Sequence, residues 1–237
     1  MRAPISIVIP TLDAAGQLPA TLASLSEGLD AGLVRELVIS DGGSCDDTLG
    51  IAARAGAVTI AGAPGRGGQL RRGAEAAGGA WLLFLHADTR LKAGWAEAVA
   101  RHVAREERAA WFRLAFRAAG WRPRLVAGWA NLRAGAGLPY GDQGLLIPRG
   151  LYREVGGFPD IALMEDVAMA RRLRGRLKGL DAVACTDAGR YERNGWMRQG
   201  AGNLWRLMRY LLGADPARLA AGYERPGRDG AARDAAR

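Results

Sequence analysis

Four short polar groups in this 237-residue chain carry side chains able to do chemistry, and each sits beside an apolar run or a glycine-rich turn. Asp41 closes Glu36-Leu37-Val38-Ile39-Ser40 and leads into Gly42-Gly43-Ser44. A carboxylate there can accept the N–H of a uracil-type base while the glycines let the backbone turn close to the ring. Asp-Gly is equally a common turn pair, and spacing alone does not separate the two. Gly65-Arg66-Gly67-Gly68-Gln69 precedes a helical pattern. Exposed amides, a helix start and Arg66, helped by Arg71 or Arg72, can meet a diphosphate; a surface loop with a solvated arginine is the plainer reading. His86-Ala87-Asp88 follows Trp81-Leu82-Leu83-Phe84-Leu85, where the structural alternative is a satisfied strand-end histidine and a helix-capping aspartate. Met164-Glu165-Asp166 follows the flexible Gly156-Gly157-Phe158-Pro159 and delivers two adjacent acids to a helix start. A carboxylate there can take the proton of an attacking hydroxyl, or simply balance the helix dipole.

The elements that must hold these groups follow from hydrophobic period. Short β-branched or bulky runs predict strands buried on both faces at 5–10, 36–40, 57–61 and 81–86, with helices at 14–27, 46–55, 68–77 and 93–107. Ser44 and Asp47 suggest a capping pair for the second helix, and Gly78-Gly79 a stop for the third. Crossovers of this length imply parallel pairing, which gathers the polar ends at the carboxyl edge, where open α/β sheets bind ligands. After residue 108 the alternation ends. Strands are expected at 111–117, 145–148 and 180–186, and helices at 121–133 and 165–174.

Composition bounds the rest. The chain is 49% hydrophobic, enough for a full core, and no linker divides it. One domain over 1–224 is expected, with a nucleotide-binding half to about 108 and an acceptor half over 109–224, then a disordered tail at 225–237. Cys45 and Cys185 have neither metal-ligand nor disulfide spacing, and Met1 to Pro4 run straight into a strand without a signal peptide, so a reducing cytoplasm is expected. No apolar stretch reaches the roughly 18 residues of a membrane span. The net charge of +9 suits a polyanionic partner, although the Ala, Gly and Arg richness also fits compositional drift.

Taken in order, Ile7-Val8-Ile9-Pro10-Thr11-Leu12-Asp13, Ser40-Asp41-Gly42-Gly43-Ser44, Gly65-Arg66-Gly67-Gly68-Gln69, Phe84-Leu85-His86-Ala87-Asp88-Thr89, Gly141-Asp142-Gln143-Gly144 and Met164-Glu165-Asp166-Val167 resemble the family 2 glycosyltransferases. The resemblance covers about residues 5 to 212. It is greatest to a small bacterial subgroup with His-Ala-Asp-Thr and Tyr-Gly-Asp-Gln-Gly, some members of which carry an arsenosugar-biosynthesis label. It implies the GT-A fold, an α/β architecture with a Rossmann-like half, a mixed central sheet and helices on both faces. It also implies single-sugar transfer from a nucleoside-diphosphate sugar of UDP or GDP type to a hydroxyl acceptor, with inversion.

On that resemblance Pro10, Thr11, Asp13, Asp41, Gly42, Arg66, Gln69, His86 and Ala87 are expected around the nucleotide. Asp166 is the expected base, with Glu165 beside it. His86-Ala87-Asp88 stands where the family carries Asp-x-Asp, so Asp88 is the expected metal carboxylate, for Mg²⁺ or Mn²⁺ completed by the donor's phosphates. Asp142, Gln143, Arg190, Arg193 and Trp196 are further candidates for diphosphate or acceptor contact. The processive Gln-x-x-Arg-Trp motif is absent. Rival readings are a nucleotide-sugar-binding or membrane-associated module without turnover, and a nucleotidyltransferase, which would want a Lys-bearing Gly-rich loop near the start. Nucleic acid is not an expected partner, since no interleaved basic and aromatic stripe occurs. Trp196, Leu204, Trp205, Met208, Leu211 and Leu212 recur at helical spacing near Arg198, Arg206 and Arg209. The stripe is expected to pack on its own domain, with peripheral contact to the inner membrane face as second reading.

Overall fold

The computed structural model describes residues 3–221. The expected tail, 225–237, and residues 222–224 assigned to the domain lie outside the described residues. In chain order the elements are β1 (Ile5–Thr11), α1 (Leu18–Ala23), α2 (Ser26–Asp30), β2 (Val34–Asp41), α3 (Thr48–Arg54), β3 (Val58–Ala61), α4 (Arg66–Ala76), β4 (Trp81–Phe84), β5 (Arg90–Leu91) and α5 (Trp95–Arg105). They continue with β6 (Ala109–Phe116), α6 (Trp121–Gly135), a 3₁₀ turn (Gly141–Gln143), β7 (Leu145–Pro148), α7 (Arg149–Glu154), α8 (Glu165–Arg172), β8 (Leu177–Thr186), α9 (Gly189–Asn194), α10 (Trp196–Leu211) and α11 (Pro216–Ala221).

The strands form one sheet in the order β3-β2-β1-β4-β7-β6-β8-β5. Strands β3, β2, β1 and β4 are parallel. β7 runs against both β4 and β6, so β6 and its parallel neighbour β8 point the same way as the first four. The side chains alternate as the short apolar runs require. Ile5, Ile7, Ile9, Leu83, Leu85 and Leu146 join one apolar cluster, and Val8, Val38, Leu82, Phe84, Leu145 and Ile147 another. Fully burying each such side chain stabilises by about 1.5–3 kcal/mol, so a one-residue slip of register is strongly disfavoured.

Chain order along the sheet reverses beside β1 and β4, the position where an open α/β sheet leaves a crevice at its carboxyl edge. The reversed strand β7 brings its beginning to that same edge, because Phe84 pairs with Leu145. The 3₁₀ turn carrying Asp142 therefore arrives beside the end of β4.

Several expected elements differ in physically interpretable ways. The helix expected at 14–27 is split between α1 and α2 at Ser24. There the Ser24 carbonyl accepts the Trp95 indole N–H at 3.0 Å, and its Oγ accepts the Leu91 N–H at 3.1 Å. The second helix is not capped by Ser44, whose hydroxyl is committed to Asp41 at 2.5 Å; Asp46 accepts the Thr48 N–H instead, at 3.0 Å. β3 is a largely exposed edge strand rather than one buried on both faces. β5, two residues long, had no period to announce it.

The apolar stripe of α10 does not pack inward as expected. Of its members only Trp196 joins an apolar cluster, with Phe116 and Tyr191, while Leu204, Trp205, Met208, Leu211 and Leu212 are exposed. The side of α10 that turns toward the molecule carries Gln199, Asn203 and Arg206, which line a polar cleft, and buried Leu207. Among the described residues no helix is long and apolar enough to cross a membrane.

Candidate active site

The expected site residues separate into two groups. The first joins the ends of β1 and β2. Asp41 is fully buried, and its carboxylate accepts four bonds, from the Thr11 hydroxyl (2.9 Å), the Ser44 hydroxyl (2.5 Å), the Gly43 N–H (2.8 Å) and the Ser44 N–H (2.8 Å). Burial raises this carboxyl, but the donors outweigh it and hold it below the ordinary aspartate value. Asp13 accepts the Cys45 N–H at 2.7 Å, and its own N–H donates to Ser44 Oγ at 2.9 Å. The Gly42 N–H donates to the Thr11 carbonyl at 2.8 Å. Pro10 stands one step earlier, paired in register with Ser40.

These bonds revise two assignments. The four lone-pair positions of Asp41 are taken, so in this arrangement its side chain organises the loop, and a base N–H would have to displace one of its donors. Gln69 is buried, and its amide donates to the carbonyls of Thr11 (2.7 Å) and Ser40 (2.8 Å). It ties α4 to the two strand ends instead of presenting itself to a ligand. Gly67 and Gly68 are likewise buried. A Cβ at Gly67 would lie 2.2 Å from the Pro159 carbonyl oxygen. The glycines thus permit a close backbone crossing, and the exposed-amide cradle expected there is not formed.

The second group lines an open cleft at the carboxyl edge, where Asp88, Asp142, Glu165, Asp166 and Asp187 face Arg66, Arg190 and Arg206. Most come from a strand end or helix start, Asp142 from the 3₁₀ turn and Arg206 from within α10. His86 and Asp88 follow β4, Asp187 follows β8, Arg66 opens α4, and Glu165 and Asp166 open α8. Ala87 holds its loop in place by accepting the Thr21 hydroxyl at 2.7 Å.

Burial, helped by the charge of Arg66, pushes His86 down to about 3, so the imidazole is neutral near pH 7. Burial raises Asp88 and lifts Asp142 to about 6 against the pull of Arg133. Asp142 Oδ1 is buried with no hydrogen-bond partner, a costly arrangement unless a ligand completes it. Glu165 is almost wholly buried, and burial reinforced by neighbouring Asp166 pushes it up to about 7. Arg66 Nη1 donates to Glu165 Oε1 at 3.2 Å. Asp166 accepts the Gly141 N–H at 2.7 Å and the Val167 N–H at 2.7 Å, so the turn that carries Asp142 is tied directly to this carboxylate.

Backbone strain marks both groups. Asp13 (φ 48°) and Met164 (φ 69°) are the non-glycine residues with positive φ among the described residues. Asp13 belongs to the first group and Met164 stands next to Glu165 of the second, positions where such conformations cost about 1–3 kcal/mol and persist only when the surroundings impose them.

The remaining candidates divide. Arg190 lines the cleft, and burial, with Arg66 and Arg193 nearby, lowers its pKa. Gln143 is fully buried, donating to Asn131 Oδ1 at 3.2 Å and accepting the Tyr140 N–H at 3.2 Å, so it is a brace and not a ligand contact. Trp196 stacks on Tyr191 at 5.1 Å and stands behind the cleft wall; Arg193 is exposed and does not line it. Reading from sequence missed Asp187, Asn203 and Gln199. The rule that found Asp41 and Asp88, a polar residue just past a strand, would have found Asp187 after β8. Nothing in the sequence announced the polar inner face of α10.

Among the described residues no three His, Cys, Asp or Glu side chains form a metal cage by themselves. Two oxygen donors nevertheless suit a hard divalent ion: the Asp88 carboxylate and the unpartnered Asp142 oxygen share one cleft. Mg²⁺ and Mn²⁺ sites of this kind use one or two carboxylates and take their remaining ligands from substrate phosphates and water.

The fold is shared with solved glycosyltransferases. S. aureus TarS (residues 1–349) matches with a TM-score of 0.58 and 16% identity, over 90% of this chain and 66% of TarS. Glucosyl-3-phosphoglycerate synthase from Mycobacterium tuberculosis, solved with Mn²⁺, UDP and glucosyl-3-phosphoglycerate, matches with a TM-score of 0.54 and 22% identity, over 85% of this chain and 78% of that one. These likenesses establish the GT-A architecture. In sequence, the PGL/p-HBAD biosynthesis glycosyltransferases of Mycobacterium bovis and Mycobacterium tuberculosis are 42% identical over a segment covering 38% of this chain and 38% of each relative. Residues 6–139, more than half of the chain, match the sequence pattern of Glycosyl transferase family 2. The strand-end motifs, the sheet and this match agree, and the chain belongs to glycosyl transferase family 2.

Proposed function

We propose that this protein transfers a single sugar from a nucleoside-diphosphate sugar of UDP or GDP type to a hydroxyl acceptor, with inversion and with help from a divalent cation. The observation that carries the reading is the meeting of Asp88, Asp142, Glu165 and Asp166 with Arg66 and Arg190 in one cleft beside the reversal of strand order. The Mn²⁺ and UDP of the mycobacterial synthase and the UDP-GlcNAc of a TarS complex support a uridine-type donor.

Asp88 and Asp142, with the donor's own phosphates, would hold the cation, which when bound would neutralise charge growing on the departing diphosphate, while neutral His86 lines the same cleft. Arg66 and Arg190 act on the same charge from the protein side. Arg66 is paired with Glu165 in the structure, so donor binding exchanges that partner for a phosphate. Asp166, fixed by the Gly141 and Val167 amides, takes the acceptor hydroxyl's proton as its oxygen bonds to the anomeric carbon and the carbon–diphosphate bond breaks on the opposite side. No covalent enzyme intermediate is needed. In this reading residues up to about 108 form mainly the donor half and those from 109 mainly the acceptor half of one cytoplasmic domain, with Asp142 and Arg190 reaching back to the donor's diphosphate.

A thermal-shift screen of nucleoside diphosphates and their sugars with and without Mn²⁺ tests the reading. A ligand at ~100 times its dissociation constant adds ~2.7 kcal/mol, or roughly 5–10 °C in Tm for a chain of this size. Stabilisation by a UDP or GDP compound that grows with Mn²⁺ is expected. No shift with any of them would contradict it.

A further inference from the structure

α6 and α10 pack against each other, and each turns an apolar face away from the core. On α6 the exposed residues are Trp121 (64%), Leu125, Trp129 (52%) and Leu132, spaced 4, 4 and 3 apart on one side of the helix. On α10 they are Met197, Leu204, Trp205 (66%), Met208 and Leu211, with Leu212 (82%) just past its end. The opposite sides of both helices account for their packing. Pro123, Ala127, Ala130 and Ala134 are buried on α6, and Gln199 and Leu207 on α10. Single exposed apolar residues are ordinary, but three tryptophans with aliphatic neighbours on two adjoining helices are not.

The charge on these helices is of one sign. α6 carries Arg122, Arg124 and Arg133, α10 carries Arg198, Arg206 and Arg209, and neither contains an acid. The nearest acids in sequence, Glu107, Asp142, Glu192 and Asp215, lie outside both. Arg122, Arg124, Arg198 and Arg209 are exposed. This combination selects among occupants. A second copy docked through the same face would bring arginine against arginine, an unfavourable like-charge contact in an isologous interface. A nucleic acid would meet the arginines but leave the leucines and methionines unsatisfied. A bilayer with anionic headgroups satisfies both, taking Trp and aliphatic side chains at the headgroup–acyl boundary and guanidinium groups among its phosphates.

We infer that the α6–α10 face docks on an anionic lipid bilayer. Because Gln199, Asn203 and Arg206 on the inner side of α10 line the cleft, this docking sets the cleft directly behind the helix that lies on the membrane. The inference stands on the surface alone and does not require the proposed transfer reaction.

The test is sedimentation of the full chain with vesicles of phosphatidylcholine containing about 40% phosphatidylglycerol, and with pure phosphatidylcholine, at about 0.1 M and 0.5 M salt, beyond which exposed charges are screened within a few ångströms. Retention on the anionic vesicles is expected, weakened at high salt and accompanied by a blue shift of tryptophan emission. Trp129→Ser with Trp205→Ser, and separately Arg122→Glu with Arg209→Glu, are each expected to weaken it at least ~10-fold. These side chains are exposed, so the variants are expected to melt like the wild type and to keep its Tm response to UDP and Mn²⁺. That response separates failure of docking from failure of the donor reading. Absence of retention on anionic vesicles, or retention equal in the variants, would overturn the inference. So would self-association in lipid-free buffer that the tryptophan variant abolishes, which would assign the face to a second copy.

Discussion

Glu165 shows how the surroundings of a residue set its chemistry. Its carboxyl, buried beside Asp166, is pushed from the ordinary 4.5 up to about 7. Between those values the folded protein keeps a proton that the unfolded chain gives up. The group's contribution to stability is therefore complete below pH 4.5 and is lost as pH rises through about 7. In Glu165→Gln that loss disappears, although the Arg66 pairing goes with it. The Tm of the variant relative to wild type should consequently rise from pH 5 to pH 8, whatever its absolute level, because Asp142 and His86, which also shape the slope there and with opposite signs, are common to both proteins. Parallel Tm curves for the two proteins would show that Glu165 does not titrate in this range. Residue types in the site were legible from sequence, whereas their commitments were not. Asp41, Gln69 and Gln143 have the side chains of ligand contacts, but their partners are Thr11, Ser44, Ser40 and Asn131. Which donor meets which acceptor depends on elements far apart in the chain, and no local spacing encodes that.

At the scale of elements, α4 and the segment before α8 are locked by a close approach. Gly67 faces the Pro159 carbonyl so tightly that an added methyl group would sit 2.2 Å from it. Backbone on both sides leaves little room to yield, so Gly67→Ala should cost about 1–3 kcal/mol, as overpacking does elsewhere. It should also displace Met164, Glu165 and Asp166, so donor hydrolysis should fall further than the stability loss explains. A denaturant titration alongside a hydrolysis assay checks both, and wild-type stability would show that the crossing is looser than described. β1, β2 and β4 were legible because a strand buried between two layers must be a short apolar run, whereas β3 was found as a strand but misjudged as buried. The divided helix after β1 was not, because Ser24 breaks it to meet Trp95 and Leu91. β5 was too short to carry a period, and α10 misled because its inner face borders a polar cleft and not a core.

At the scale of the whole molecule, six strands point one way and two, β5 and β7, are reversed; this arrangement brings β4, β7, β8, α4 and α8 to a single edge, and the acidic and basic groups of the site follow from that topology. The order of motifs was enough to anticipate the carboxyl edge as the site; the turn that β7 contributes became visible only when its pairing with β4 placed Asp142 beside His86. In the proposed reaction this edge first binds a nucleotide-sugar and Asp166 then takes the acceptor's proton. Measuring donor affinity and turnover together in Asp166→Asn tests that claim most directly, with water as acceptor until a better one is found by screening hydroxyl compounds. Asparagine keeps an oxygen for the Gly141 amide but cannot take up the proton. Donor affinity should stay within about threefold while turnover falls by ~10²–10⁴-fold, the usual worth of a general base. Turnover at the wild-type rate, or donor affinity that collapses with it, would contradict the account.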